Sequence, residues 1–362
     1  MTRLDGAAPA TFRIAGRPVG AECPTLVIAE IGVNHDGSAE RALELVEIAA
    51  RCGADAVKLQ VFRAARLMHP TAGFATYQRE HCEDAHPIDM LRRFELSDED
   101  LGRVVAAIRK RNLLAIATPF SPPDVDTLAG LAVDAVKIAS PDVVNRPLLS
   151  RAARLNKPML LSTGAATMGE VEGTAAWLSE RRASFALLHC ISSYPAADDD
   201  AHLCWVRELS SRFACPIGYS DHTTADLTGA LAVAAGACVI ERHLTYDRAA
   251  AGPDHAASSD AGQFARYVSL VRHAERLRGR GPKRVLDCEQ DVRTVSRQSL
   301  VAARDLRRGQ LLREDDLTVQ RPGTGISCSM LDAALARRAR VHIPAGTILQ
   351  WGMLEDALDD AA

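Results

Sequence analysis

The chain has 362 residues, 47% of them hydrophobic and 25% charged, with a net charge of −3 at neutral pH. That length supports a large core plus a small appendage, and the near-neutral balance offers no electrostatic reason to bind nucleic acid or an anionic membrane. Nine cysteines with no C-x-x-C pair argue against a disulfide framework or a zinc knuckle. The opening MTRLDGAAPATF lacks an apolar leader core, and no apolar run is long enough to span a bilayer, so a cytoplasmic protein without a membrane partner is expected.

Residues 1–24 read as an irregular N-terminal extension. Short apolar runs then recur: TLVIAE (25–30), ADAVKLQV (54–61), LLAIATP (113–119), DAVKIAS (134–140), KPMLLSTG (157–164), SFALLHC (184–190), CPIGYSD (215–221) and GACVIERH (236–243). They are nearly continuous in apolar residues, as strands buried on both faces should be. Helix signals lie between them. Ser38 precedes AERALELVEIAARC with Gly53 as a stop, and Ser97 precedes DEDLGRVVAAIRKR, acidic at its start and basic at its end. A further helix-compatible segment runs from Thr224 to Ala235. Eight strand–helix units predict a (β/α)8 TIM barrel over residues 25–280. An open doubly wound sheet is the alternative, but no G-x-G-x-x-G follows the first strand. The long connection at 62–96 is expected to lie over the barrel mouth. Residues 281–293 read as a basic linker, and 294–362, with short β-like runs and the turns RRGQ, RPGTG and IPAGT, as a small β-rich domain.

Polar groups close all eight strands, at the end of a barrel where active sites lie. They are Glu30; Lys58 and Gln60; Thr118; Lys137 and Ser140; Ser162 and Thr163; His189 with Ser192 and Tyr194; Ser220, Asp221 and His222; Glu241 and His243. One strand-end hydroxyl is commonly a helix cap and one strand-end histidine a structural hydrogen-bonding residue, but eight polar ends together read as a catalytic mouth. Two lysines, several hydroxyls and Gly164 suit an anion such as phosphate. His222 and His243 suit a divalent metal acting on a carbonyl. An anion beside an activated carbonyl points to carbon–carbon bond formation with a phosphorylated partner. Two rival readings are a Schiff-base aldolase using Lys58 or Lys137, and a catalytically silent sugar-binding homologue.

The segments IAEIGVNHDG (28–37), KLQVF (58–62), ATPFS (117–121), KIAS (137–140), LLSTGAATM (160–168), LLHCISSYPA (187–196), GYSDHT (218–223), GACVIERHLTYDR (236–248), GPDHAAS (252–258) and RPGTGI (321–326) resemble, in order and spacing, the sialic acid synthase family. The resemblance implies condensation of phosphoenolpyruvate with an N-acylated hexosamine, N-acetylmannosamine or a 6-deoxy diacetamido sugar, and an antifreeze-like (SAF) C-terminal domain. It implies His222 and His243 as ligands of Mn2+ or Mg2+. It implies Thr118, Lys137, Ser140, Ser162 and Ser220 as phosphoenolpyruvate contacts, with Glu30, Lys58, Gln60, Asp142, Ser192 and Tyr194 toward the sugar. Glu30, Lys58 and Lys137 are the catalytic candidates beside the two histidines. Arg321 matches an arginine that a domain-swapped homodimer extends into its partner's barrel. This chain departs from the family pattern at Pro141 and Asp142, where Gly and Glu are usual, at Ser192, where Asn is usual, and at Val61. Those departures bear mostly on the sugar side. His255 and Ser258 are expected beside the site.

Overall fold

The computed structural model describes residues 11–73 and 86–357, and the chain divides into two compact units, Met1–Arg280 and Gly281–Ala362. The first unit opens with an antiparallel hairpin, β1 (Thr11–Ile14) and β2 (Arg17–Gly20). Eight strands follow: β3 (Leu26–Gly32), β4 (Ala56–Val61), β5 (Leu114–Pro119), β6 (Ala135–Ile138), β7 (Met159–Ser162), β8 (Phe185–Cys190), β9 (Ile217–Asp221) and β10 (Val239–His243). They pair in parallel into a closed barrel in the order β10-β3-β4-β5-β6-β7-β8-β9. This is the TIM barrel the strand–helix alternation predicts.

Local chemistry sets the helix ends. The Ser38 and Ser97 side chains accept from the amides of Arg41 and Asp100, capping Ala39–Arg51 and Asp98–Lys110. Gly53, at φ +82°, takes the left-handed turn that follows the first of these. The helix expected from Thr224 is shorter and runs Thr228–Ala234. Gly229 sits inside it because a Cβ there would come within 2.3 Å of the Tyr267 ring.

Each strand divides its side chains by the period of two. Val27, Ala29, Val57, Leu59, Ala117, Val136 and Leu161 pack outward against the helices. Leu26, Ile28, Ala56, Ile116, Ala135, Leu160, Ala186, Leu188 and Val239 fill the lumen. The hairpin belongs to that second cluster through Ile14 and Val19, both buried. The extension expected to be irregular is therefore a plug at the N-terminal end of the barrel, where the lumen side chains would otherwise meet water.

The same alternation corrects two strand-end expectations. His189 points outward, its Nε2 bonded to the Ala201 carbonyl at 2.8 Å and its ring stacked on Tyr219. Asp221 also points outward. It accepts from Tyr267 Oη at 2.7 Å, Arg242 Nη1 at 3.0 Å, and the Thr223 amide and hydroxyl at 2.9 and 2.8 Å. Thr163 is a third residue spent on structure, its hydroxyl donating to the Leu188 carbonyl.

The second unit holds β11 (Ser299–Ala302) paired with β12 (Leu317–Gln320), and β13 (Arg337–Ala339) paired with β14 (Leu354–Asp356), over a core that includes Leu300, Leu306, Ile326 and Ile343. The span expected as a linker is not featureless. It contains a 3-10 turn at Asp287–Glu289 and enters the helix Gln290–Ser296.

Removing the outward carboxylate leaves the buried Tyr267 phenol without its acceptor and the buried Arg242 guanidinium without its counter-charge. Asp221→Ala is expected to cost about 3–5 kcal/mol, read as a lowered urea midpoint with an unchanged slope.

Candidate active site

The lumen changes character one layer above the apolar plug. Lys58, two residues beyond the lumen-facing Ala56, places Nζ 3.0 Å from Glu30 Oε2 and 3.2 Å from Glu241 Oε1. Lys137, two beyond Ala135, lies 3.6 Å from the same Glu241 oxygen and donates to Ser162 Oγ at 2.7 Å. Ser220 Oγ donates to Glu241 as well, at 3.1 Å. All six are buried. The sequence offers Glu241 only as a strand-end group; in the fold it is the charge that joins the two lysines.

Burial and charge pull these groups apart. Burial raises the Glu30 carboxyl, against the attraction of Lys58. Burial would raise Glu241 too, but Lys137 and Lys58 together hold it low and ionised. Burial acts to lower Lys58, and the flanking Glu241 and Glu30 outweigh it, so its ammonium is held above the ordinary range. Lys137, with Glu241 at longer range and Lys58 repelling it, is lowered by burial.

Above this floor opens a cleft of about 480 Å³, whose lining includes Lys58, Gln60, Thr118, Lys137, Ser140, Asp142, Ser162, Ser192, Tyr194, Ser220, His222, Glu241, His243 and Asp254. Apart from the outward His189 and Asp221 and the structural Thr163, every strand-end residue expected at the mouth lines this cleft except Glu30, which is fully buried behind Lys58 and Gln60 and accepts from Gln60 Nε2 at 3.0 Å. Gly32 makes room for that bond, since a Cβ there would fall 2.5 Å from Glu30 Oε1. Gly164 does the same at the opposite wall, where a Cβ would meet Ser192 Oγ at 2.4 Å and Ser140 Oγ at 2.9 Å. Arg321 belongs to the second unit and is exposed there.

His222 and His243 lie side by side, ring centroids 5.5 Å apart and edge-on, with the Tyr194 ring tilted at 34° and 4.1 Å from His222. His222 Nδ1 lies 2.6 Å from the Ile191 carbonyl, which makes Nδ1 the donor, so the neutral ring carries its lone pair on Nε2. His243 has a buried Nδ1 with no hydrogen-bond partner, and burial with His222 and Lys58 nearby holds its ring neutral, well below the usual range. Among the described residues no three His, Cys, Asp or Glu side chains form a ready metal cage. The donor set fits a divalent ion held by two imidazoles, with its other positions open to water and substrate. Glu241 Oε2 and Thr118 Oγ1 are likewise buried without partners in the chain, as expected of groups that meet a ligand.

The sequence left three contributors unassigned. Asp254, in the loop after β10, lies 3.6 Å from His243 Nδ1. Cys190 Sγ is 3.7 Å from His222 Nδ1. An apolar wall of Val33, Phe62, Leu67, Met90, Leu91 and Phe120 closes one side of the cleft. Leu67, Met90 and Leu91 come from the long connection expected over the mouth, of which residues 74–85 lie outside the described residues.

The NeuB family profile matches residues 45–283 and the SAF domain profile residues 297–355. The chain belongs to the NeuB family. Among its relatives is the N,N'-diacetyllegionaminic acid synthase of Legionella pneumophila, 37% identical over 94% of this chain and 97% of that one. The enzyme of the same name from Campylobacter jejuni is 37% identical over 87% of this chain and 96% of its own. The solved N-acetylneuraminic acid synthetase of Leptospira borgpetersenii, in complex with citrate, superposes with a TM-score of 0.71 at 31% identity, covering 78% of this chain and 95% of that one. In this NeuB barrel one carboxylate, Glu241, is shared by both lysines, and that dependence is measurable. Glu241→Gln should cost about 3–5 kcal/mol because Lys137 loses its close counter-charge and Lys58 loses one of two. Adding Lys137→Met should recover part of the loss in a double-mutant cycle by urea unfolding.

Proposed function

We propose that this protein condenses phosphoenolpyruvate with an N-acylated hexosamine, giving a nonulosonic acid and inorganic phosphate. The observation that carries the reading is the layered cleft. Two lysines and a ring of hydroxyls lie at its floor, and two adjacent imidazoles lie above them.

Lys58, Lys137, Thr118, Ser140, Ser162 and Ser220 would hold the phosphate and carboxylate, with the missing Cβ of Gly164 keeping the wall open. A divalent ion, Mn2+ or Mg2+, on His222 and His243 would supply Lewis acidity to the acceptor aldehyde. The methylene carbon of phosphoenolpyruvate bonds to that aldehyde carbon, water adds at C2, and the C–O bond to phosphate breaks. Fixed ammonium and hydroxyl donors stabilise the moving negative charge without reorganising. Glu30, whose carboxyl is raised by burial, would hold a proton behind Lys58.

Toward the acceptor end, Gln60, Asp142, Ser192, Tyr194 and Asp254 supply polar contacts against the apolar wall of Phe62, Met90, Leu91 and Phe120. The apolar wall favours a 6-deoxy diacetamido sugar, in line with relatives named for a diacetylated product. The Schiff-base alternative is weakened at Lys58, which the ionised Glu241 beside it keeps charged; borohydride trapping of substrate on Lys137 would revive it.

Phosphate release from phosphoenolpyruvate should require both a divalent metal and an N-acyl acceptor, and a panel of N-acetylmannosamine, its 6-phosphate and diacetamido 6-deoxy sugars should identify that acceptor. Undiminished release after exhaustive chelation, or release without any acceptor, would sink the reading. A silent sugar-binding homologue would bind the panel and release nothing.

We also infer that the SAF domain supplies Arg321 to the barrel of a partner copy in a domain-swapped homodimer. Arg321→Ala and Lys58→Ala variants, each inactive alone, should regain activity when unfolded together and refolded as a mixture. Absence of any recovery, with both proteins dimeric, would refute the exchange.

A further inference from the structure

Beyond the cleft lies a buried imidazole that the condensation does not use. His255 is 1% exposed, and both of its ring nitrogens are engaged. Nε2 is 2.9 Å from Asp36 Oδ1, and Nδ1 is 2.7 Å from Thr245 Oγ1. The Asp36 carboxylate can only accept, so Nε2 donates to it. The second Asp36 oxygen accepts from Tyr246 Oη at 2.7 Å, and the Tyr246 ring stands edge-on to His255 at 5.3 Å under the Arg41 guanidinium.

These contacts join two loops that are distant in sequence. One follows β3 and carries Asn34, His35 and Asp36. The other follows β10 and carries Asp254 into the cleft. A second seam runs beside the first, where Asn34 Nδ2 donates to the Leu244 carbonyl at 3.0 Å and to Ser258 Oγ at 2.8 Å. Ser258 Oγ in turn donates to the Asp254 carbonyl at 2.6 Å. Gly252 is held at φ +157°, and a Cβ there would meet the His255 ring at 2.8 Å. The loop therefore turns against the imidazole itself, two residues before the carboxylate it delivers.

We infer that His255 is a positioning residue, which fixes the reach of Asp254 into the cleft by clamping the β10 loop to Asp36 of the β3 loop. It touches no reacting atom. Asp254 bears on the acceptor end, beside His243 and above the lysine floor, so loosening the clamp displaces the acceptor's contact and leaves the phosphoenolpyruvate contacts in place. The inference rests on the proposed condensation for its kinetic meaning and on geometry alone for the clamp.

The test uses the full-length protein. His255→Leu should raise KM for the acceptor roughly ten- to a hundredfold, with KM for phosphoenolpyruvate within about twofold of the parent. His255→Gln, which can still donate to Asp36, should restore most of the loss. Asp36→Asn should overlap with His255→Leu in the double variant rather than add to it, because both remove one clamp. Without substrates, tryptic cleavage after the half-buried Arg248, which the clamp encloses, should quicken in the order parent, His255→Gln, His255→Leu. Tyr246→Phe removes one hydroxyl at the margin of the clamp and gives a milder form of both effects should His255→Leu fail to fold. An unchanged acceptor KM, an equal rise for both substrates, or additive effects of Asp36 and His255 would overturn the inference. If the parent releases no phosphate with any acceptor, the condensation falls, while the order of tryptic cleavage still decides whether the clamp exists.

Discussion

Lys58 and Lys137 share Glu241 inside a barrel whose lower lumen is aliphatic. Taking such charges out of water costs several kcal/mol per ion, and the attraction between them offsets that cost only when the geometry is close and the remaining polar atoms are bonded. Here the requirement is met by strands, not loops. Glu241 is in register with Ser220 across the β9–β10 pair, and Glu30 with Lys58 across β3–β4. The ladder that closes the barrel is what sets the distances between the charges.

A single alternation therefore builds three layers on the inner face. Aliphatic side chains come first, then the lysine and carboxylate layer, then the imidazoles, each two residues further along its strand. Ala56 precedes Lys58, Ala135 precedes Lys137, and Val239 precedes Glu241 and His243. The outer face follows the same count and is spent on packing, with Asp221 and Arg242 forming a buried pair under Tyr267. Catalytic and structural charges sit on neighbouring residues of one strand and never meet.

That count explains what the sequence disclosed. Eight apolar runs with polar ends give the barrel, and Lys58, Lys137, Ser162, Ser220, His222 and His243 all reach the cleft that pattern implies. His189 and Asp221 misled because a strand end says nothing about which face a residue takes; only the phase relative to the neighbouring lumen residues does. Glu241 went unassigned because its meaning lies in two partners, 183 and 104 positions earlier in the chain. Asp254 and His255 depend on the path of an irregular loop, for which no periodicity exists. The hairpin was missed for a related reason: TFRI and RPVG are four residues each, too short for a repeating pattern to register.

That hairpin has a kinetic corollary. With Ile14 and Val19 closing one end of the lumen, traffic has a single doorway at the opposite end. The lysine layer is the inner berth and the imidazole layer the outer one. A molecule bound outermost bars the passage of anything bound beneath it. On the proposed chemistry, phosphoenolpyruvate must board before the sugar, and phosphate freed at the floor must wait for the elongated acid to leave.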